Sequence, residues 1–171
     1  MLHLYCGDGK GKTTAAMGLA VRSAGRGNRV VIAQFLKSAD SGERLILGRL
    51  PNVRLLALPE QMKFVFSMSE EEKAAEQIRQ TDLFRRATAA AREQDANLLI
   101  LDELCSGIST GMIPLDLVTV FLDNRPEKLE VVITGRDPMP ELQDRADYIT
   151  EMKKLRHPFD RGMPARKGVE W

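Results

Sequence analysis

Histidine, cysteine and aromatic residues are all scarce in this chain. Its 171 residues include two histidines, two cysteines, six phenylalanines, two tyrosines and one tryptophan. Two cysteines, Cys6 and Cys105, cannot build a disulfide framework, and their spacing is not that of a zinc site. Their usage suits a reducing cytoplasm, which is the expected location. His3 and His157 stand in no motif suited to general-base work. An excess of either charge is also missing: Lys+Arg number 25 against Asp+Glu 24, a net charge of +1. That balance removes the electrostatic case for nucleic acid or an acidic membrane as the main partner. No apolar run is long enough to span a bilayer, and no signal peptide is recognisable. Internal repeats, low-complexity tracts and interdomain linkers are absent too. The expectation is one soluble domain over residues 1–171, long enough to bury a core.

What the chain does have is Gly7-Asp8-Gly9-Lys10-Gly11-Lys12-Thr13-Thr14. It follows a short apolar run, Leu2 to Tyr5, and precedes a helix-like run, Thr13 to Ala24. Strand, glycine-rich loop and helix form the setting of a P-loop. Glycines on alternate positions let the backbone approach a ligand, and successive N–H groups converge on phosphate oxygens. The positive end of the following helix favours the same anion. Lys12 adds a point charge on the phosphates, and Thr13 offers a hydroxyl to Mg²⁺. The usual pattern has a glycine where Cys6 stands, so this is a variant P-loop with its Gly-Lys-Thr core intact.

Further along, Val30 to Phe35 reads as a buried strand, followed by a helix from Ser41-Gly42-Glu43 through Leu50. Val53 to Leu58 is the next strand. Met62 to Met68 reads as a loop holding Phe64 and Phe66, either as a core plug or as an apolar surface for something large and flat. Ser69-Glu70-Glu71-Glu72 is a capping box. Its helix runs to about Arg92, with Ala74, Ile78, Thr81, Phe84, Ala87 and Ala91 expected inward. The run from Asn97 to Leu101 ends in Asp102-Glu103, as a Walker B strand does, and one of these carboxylates can face Mg²⁺ opposite Thr13. Cys105 to Met112 is rich in serine and glycine and reads as a substrate loop. A helix from Pro114 to Asn124, a strand from Glu130 to Thr134, a short helix from Pro140 to Ala146 and a last strand from Tyr148 to Met152 follow. The basic tail, 153 to 171, reads as turn-rich. Alternating strands and helices predict an α/β fold with a mostly parallel sheet, helices on both faces, and ligands at the carboxyl ends of the strands.

Five stretches resemble the P-loop ATP:corrinoid adenosyltransferases. They are Gly7 to Ala16, Gln34 to Lys37, Leu101 to Leu104, Asn124-Arg125-Pro126 with Val131 to Arg136, and the tail from His157 to Trp171. The P-loop is generic, whereas Thr134-Gly135-Arg136 and the tail are specific to that family. The resemblance implies a RecA-like sheet and usually a homodimer. It implies ATP bound in the reverse of its usual direction, presenting a ribose carbon in place of the γ-phosphate. Lys12 and Thr13, with the neighbours Gly7, Asp8, Gly9, Lys10, Gly11 and Thr14, would hold the triphosphate. Glu103 would assist the metal with Asp102 beside it. Arg22 would lie near the nucleotide, Arg136 would join the binding residues, and Phe64-Val65-Phe66 would lie against the corrin ring. Some members carry tryptophan where Phe66 stands. Many extend ahead of the first strand with a segment that helps cover the corrin, and this chain is expected to lack that cover.

The bottom-up chemistry agrees. Cobalt(I) is itself a strong nucleophile and needs no activated serine, cysteine or base. The protein is left to orient the ribose carbon and neutralise a departing triphosphate. An apolar aromatic wedge that removes the lower axial ligand would ease reduction of cobalt(II) by a flavoprotein. Two other readings share the P-loop: a kinase or NTPase that attacks the γ-phosphate, and a non-catalytic nucleotide-dependent corrinoid carrier.

Overall fold

The computed structural model describes residues 1–170. Eleven elements match the predicted alternation and one helix, α4, is additional: β1 (Leu2–Cys6), α1 (Lys12–Ala24), β2 (Val30–Gln34), α2 (Gly42–Leu47), β3 (Val53–Leu55), α3 (Glu70–Glu93), β4 (Leu98–Asp102), α4 (Leu104–Ser109), α5 (Leu115–Asp123), β5 (Glu130–Thr134), α6 (Pro140–Gln143) and β6 (Tyr148–Glu151). The sheet has the order β3-β2-β4-β5-β1-β6. Every pairing is parallel, so the sheet is more regular than the mostly parallel one expected. This is an α/β fold of the P-loop, RecA-like kind.

The burial follows from strand alternation. Leu2, Leu4, Val31, Ala33, Leu99, Leu101, Val131 and Ile133 join a core beneath α3, α4 and α5. Their neighbours Val30, Ile32, Leu98, Ile100 and Val132 join a second core beneath α1 and α2. β2, β4 and most of β5 are buried on both faces and read as continuous apolar runs, whereas β1 alternates buried and partly exposed residues. On the α3 side, Phe84 sits between two other rings. Its centroid is 6.5 Å from Phe35 and 5.8 Å from Phe121, the second contact edge-to-face. Such pairs contribute about 0.5–1.5 kcal/mol beyond burial.

Helix α3 starts on the predicted capping box. Glu72 N–H donates to Ser69 Oγ at 3.2 Å, and Ser69 N–H donates to Glu72 Oε2 at 3.0 Å. Its inward face differs from the expected one. Ala74 and Ile78 are exposed, Ile78 at 72%. Glu76 and Gln80 point inward in their place, ahead of Leu83, Phe84 and Ala87. The first turns of this long helix pack on the loop after β2, where polar partners are needed, and only the later turns reach the sheet. Gln80 Oε1 accepts Leu36 N–H at 3.3 Å, and Gln80 Nε2 donates to Glu76 Oε1 at 2.5 Å.

The Cys105–Met112 segment is not a loop. Most of it is α4, with Leu104, Cys105, Gly107 and Ile108 buried. Gly107 lies so close to Ile113 that a Cβ would come within 2.9 Å of its Cδ1. Serine and glycine here allow close packing, and only Thr110 of that stretch reaches the cavity described below. β3 and α2 are shorter than expected, and Val65–Ser67 forms a 3-10 turn. Among the described residues no helix is long and apolar enough to cross a membrane.

Candidate active site

The register aligns the carboxyl ends of β1, β2, β4 and β5, with Tyr5 opposite Thr134 and Gln34 opposite Asp102. The P-loop leaves β1 at this edge. Cys6 is the last, buried residue of the strand, and Gly7 is the first with positive φ, at 99°. The departure from the usual glycine pattern therefore falls inside the strand, and the turn begins one residue later. A side chain on Gly7 would also collide with the Met152 carbonyl, since a Cβ there lies 2.6 Å from that oxygen. Lys12 closes the loop from within: its ammonium donates to the carbonyls of Gly7 at 2.6 Å and Gly9 at 2.8 Å. Burial pulls Lys12 below the ordinary lysine range, while the nearby Glu103 carboxylate opposes that shift.

Asp102 ends β4 and is fully buried. Four side chains satisfy it. Thr13 Oγ1 donates to Oδ1 at 2.9 Å and Thr134 Oγ1 at 2.7 Å. Lys37 Nζ donates to Oδ2 at 2.6 Å and Gln34 Nε2 at 3.2 Å. The carboxylate is thus held by one full charge and three dipoles, as a buried anion has to be. Glu103 follows in a left-handed conformation, φ 63°. Its N–H donates to Thr134 Oγ1 at 2.9 Å, and Ser106 Oγ donates to its Oε1. Thr134 therefore bridges the two acidic residues and sets one against the other.

These groups open onto a cavity of about 1430 Å³. A pocket for one drug-sized molecule is roughly 300–1,000 Å³, so there is room for two substrates. Its wall brings Asp8 to Thr14, Glu103 and Arg136 together with Phe64 and Phe66. The two phenylalanines are 74% and 86% exposed and stack on each other, centroids 5.3 Å apart. They are not a core plug. Three expected site residues are absent from the wall: Gly7 lies under the loop, Asp102 lies behind it, and Arg22 sits on the exposed surface of α1. The charge of Arg22 is felt by the Tyr5 hydroxyl, whose pKa burial raises and Arg22 pulls back.

The tail is docked on the P-loop. Gly9 N–H donates to the Met152 carbonyl at 2.6 Å, and Lys154 N–H donates to Asp8 Oδ1 at 2.8 Å. Lys10 Nζ reaches the Val169 carbonyl at 2.6 Å. Arg166 binds Glu170 through both guanidinium and backbone and pulls its carboxyl down to about 2. His157, Gly168, Val169 and Glu170 thereby join the cavity wall. Trp171 lies outside the described residues. His157 Nδ1 already accepts Phe159 N–H at 3.2 Å. His3 is remote from the cavity, paired with Glu130 at 2.9 Å.

Sequence reasoning passed over two contributors. Lys37 stood in a resembling stretch, but nothing marked its contact with Asp102. Gly18 lines the cavity one turn beyond Thr14, and a Cβ there would meet nothing within 4 Å. No packing reason requires glycine in that exposed helical position, where it costs about 1 kcal/mol relative to alanine. Gly18→Ala is expected to raise the melting temperature by several degrees and to raise the KM of a substrate lying on α1. Calorimetry with steady-state kinetics checks it; a lowered melting temperature would mean that the glycine serves the fold.

Parallel sheet, P-loop at the end of β1 and acidic pair at the end of β4 define a P-loop nucleotide-binding protein. The sequence pattern of the family described as ATP:corrinoid adenosyltransferase BtuR/CobO/CobP matches residues 1–171. Similar over the whole chain are the corrinoid adenosyltransferases of Pseudomonas aeruginosa, 32% identical over 83% of that protein, and Escherichia coli K12, 29% identical over 85% of that protein. The corrinoid adenosyltransferase CobA of Salmonella typhimurium is 29% identical, again across this entire chain. The chain belongs to the ATP:corrinoid adenosyltransferase family and is an enzyme of that class.

Proposed function

We propose that residues 1–171 act as one domain that moves the adenosyl group of ATP onto cobalt(I) of a corrinoid, in adenosylcobalamin biosynthesis or salvage. One observation carries this reading: the phosphate loop and a solvent-facing apolar pair, Phe64 and Phe66, share one cavity. A γ-phosphate enzyme has no use for such a surface. The cobalt(I) electron pair attacks the ribose 5′ carbon, the carbon–oxygen bond breaks, and triphosphate departs with that bonding pair. No proton has to move, which fits a site without a positioned base.

The loop amides and Lys12 neutralise the triphosphate as charge develops on its leaving oxygen. The nucleotide lies reversed, so that its ribose faces the corrin. Arg136 and Lys10 flank the triphosphate from the cavity wall, whereas the expected role of Arg22 at the nucleotide finds no support in its place outside that wall. Thr13 and Asp102 are close enough to share one cation, with Glu103 beside them. Among the described residues no cluster of three or more His, Cys, Asp or Glu could hold a metal alone. A Thr–Asp pair completed by phosphate oxygens is a donor set that suits Mg²⁺. When bound, Mg²⁺ would supply charge neutralisation at the triphosphate. The phenylalanine pair takes the face of the corrin, and a reducing flavoprotein supplies the electron. A homodimer in the cytoplasm is part of the same reading.

The bond that breaks separates this reading from its rivals. Chromatography of the products from ATP, with and without cobalt(I) corrinoid, is expected to give triphosphate one for one with adenosylcorrinoid. No ADP above background is expected, and no triphosphate without corrinoid. Corrinoid-independent ADP as main product would promote the NTPase reading, and no product at all the carrier.

A further inference from the structure

We propose that Lys37 is a tethered counter-ion that holds the Thr13–Asp102 cation position until nucleotide and divalent metal arrive together. The local fold delivers it there. β2 ends at Gln34, and Phe35 N–H donates to the Asp102 carbonyl at 2.8 Å. Leu36 then turns the chain with φ 53°, a conformation that a branched side chain rarely adopts. The buried Gln80 of α3 fixes this turn by accepting Leu36 N–H at 3.3 Å. Lys37 is thereby aimed back at the strand ends. Its ammonium lies 2.6 Å from Asp102 Oδ2 and 3.1 Å from Thr13 Oγ1. Those are the P-loop hydroxyl and one of the two Walker B carboxylates that the sequence patterns offer to the metal.

Two facts make this an exchangeable arrangement. Asp102 is fully buried, so its charge requires a cation at all times. The Lys37 side chain is 29% exposed and lines the cavity on the phosphate side. An ammonium and a divalent ion cannot both occupy the space between Oδ2 and Oγ1. The ammonium yields only if it gains another anionic partner, and the triphosphate is that partner. Metal alone must expel Lys37 into solvent. Metal arriving with nucleotide lets Lys37 move from carboxylate to phosphate. Metal and nucleotide therefore strengthen each other's binding, by the same factor in both directions. The inference rests on the proposed metal placement and is independent of the corrinoid chemistry.

The test is a Mn²⁺ titration of the full chain, read by calorimetry, without corrinoid and with or without ATP. The wild-type protein is expected to bind Mn²⁺ at least tenfold more tightly with ATP than without. In Lys37→Met, Mn²⁺ alone binds at least tenfold more tightly than in wild type, and the ATP-dependent gain shrinks to match. Lys37→Arg keeps a cation and retains weak Mn²⁺ binding without ATP. If Lys37→Met is destabilised, its melting temperature rises further with Mn²⁺ than that of wild type, because metal replaces the missing charge. Equal Mn²⁺ affinity of wild type and Lys37→Met without ATP overturns the proposal. So does a loss of ATP affinity in Lys37→Met with metal binding unaltered. Asp102→Asn separates the two levels: if it binds Mn²⁺ normally with ATP, the metal placement itself is wrong.

Discussion

Lys12→Ala is expected to leave a folded protein whose adenosylation rate is lower by about 10²–10³-fold, the usual cost of losing one preorganised charge at a developing anion. Lys12 is half-buried, and its ammonium is tied to two loop carbonyls, at 2.6 and 2.8 Å. The bonds of its ammonium are to backbone carbonyls, so truncation removes charge before it removes packing. Of the two carbonyls it leaves, that of Gly9 belongs to a residue of the cavity wall and that of Gly7 lies under the loop, so the stability cost is about 1–2 kcal/mol. Most of the loss falls on the transfer step, because the charge matters most when the triphosphate leaves. Single-turnover kinetics with chemically generated cobalt(I) and saturating ATP measure that step directly. Transfer at the wild-type rate by a folded Lys12→Ala protein would remove the P-loop from the mechanism.

The phenylalanine pair produces the second large effect, and one confined to a single assay. Phe64→Ala and Phe66→Ala are each expected to lower turnover by about tenfold or more when a protein partner reduces cobalt(II). With cobalt(I) supplied chemically, the loss is expected within about threefold. The rings are 74% and 86% exposed, so removing either changes stability by no more than about 0.5 kcal/mol. What they offer is a rigid apolar surface, two rings stacked with only 13° between their planes. Such a surface can displace an axial ligand and lower the barrier to reduction, but it contributes nothing once cobalt(I) has formed. Equal losses in both assays would mean that the pair only binds corrinoid.

How much of this was legible depends on what each signal encodes. The P-loop was legible because glycine, lysine and threonine carry its geometry locally. The buried strands were legible because burial on both faces forces continuous apolar runs. The inner face of α3 was misread because apolar periodicity favours Ala74 and Ile78, while the turn at Leu36 needs the polar Gln80 and Glu76. The segment after Glu103 was misread because serine and glycine signal loops. In a crowded core they instead let a helix approach its neighbour. The partnership of Lys37 with Asp102 could not be read, since it depends on a left-handed leucine that no local pattern announces. The tail's docking was equally hidden: its basic, turn-rich composition gives no hint that Met152 and Lys154 bond to the P-loop.

The place of β1 in the sheet has a consequence for how the enzyme is made. β1 precedes β2, β3 and β4 in the chain, yet its two neighbours, β5 and β6, are synthesised after all of them. Lys154 and Asp8, which bond across the phosphate loop, are 146 residues apart in sequence. At about 5–20 residues per second, β1 waits roughly 6–30 s for its partners. In that interval β2, β3 and β4 can already pair, while an unpaired apolar strand, Leu2 to Cys6, waits as a target for chaperones or for another chain's edge. A nascent chain halted before residue 148 would carry the complete glycine-lysine-threonine signature and still lack the Met152 and Lys154 bonds to its loop. Completion of the phosphate loop thus depends on a segment made long after the glycine-lysine-threonine signature itself, the one that carries Met152 and Lys154.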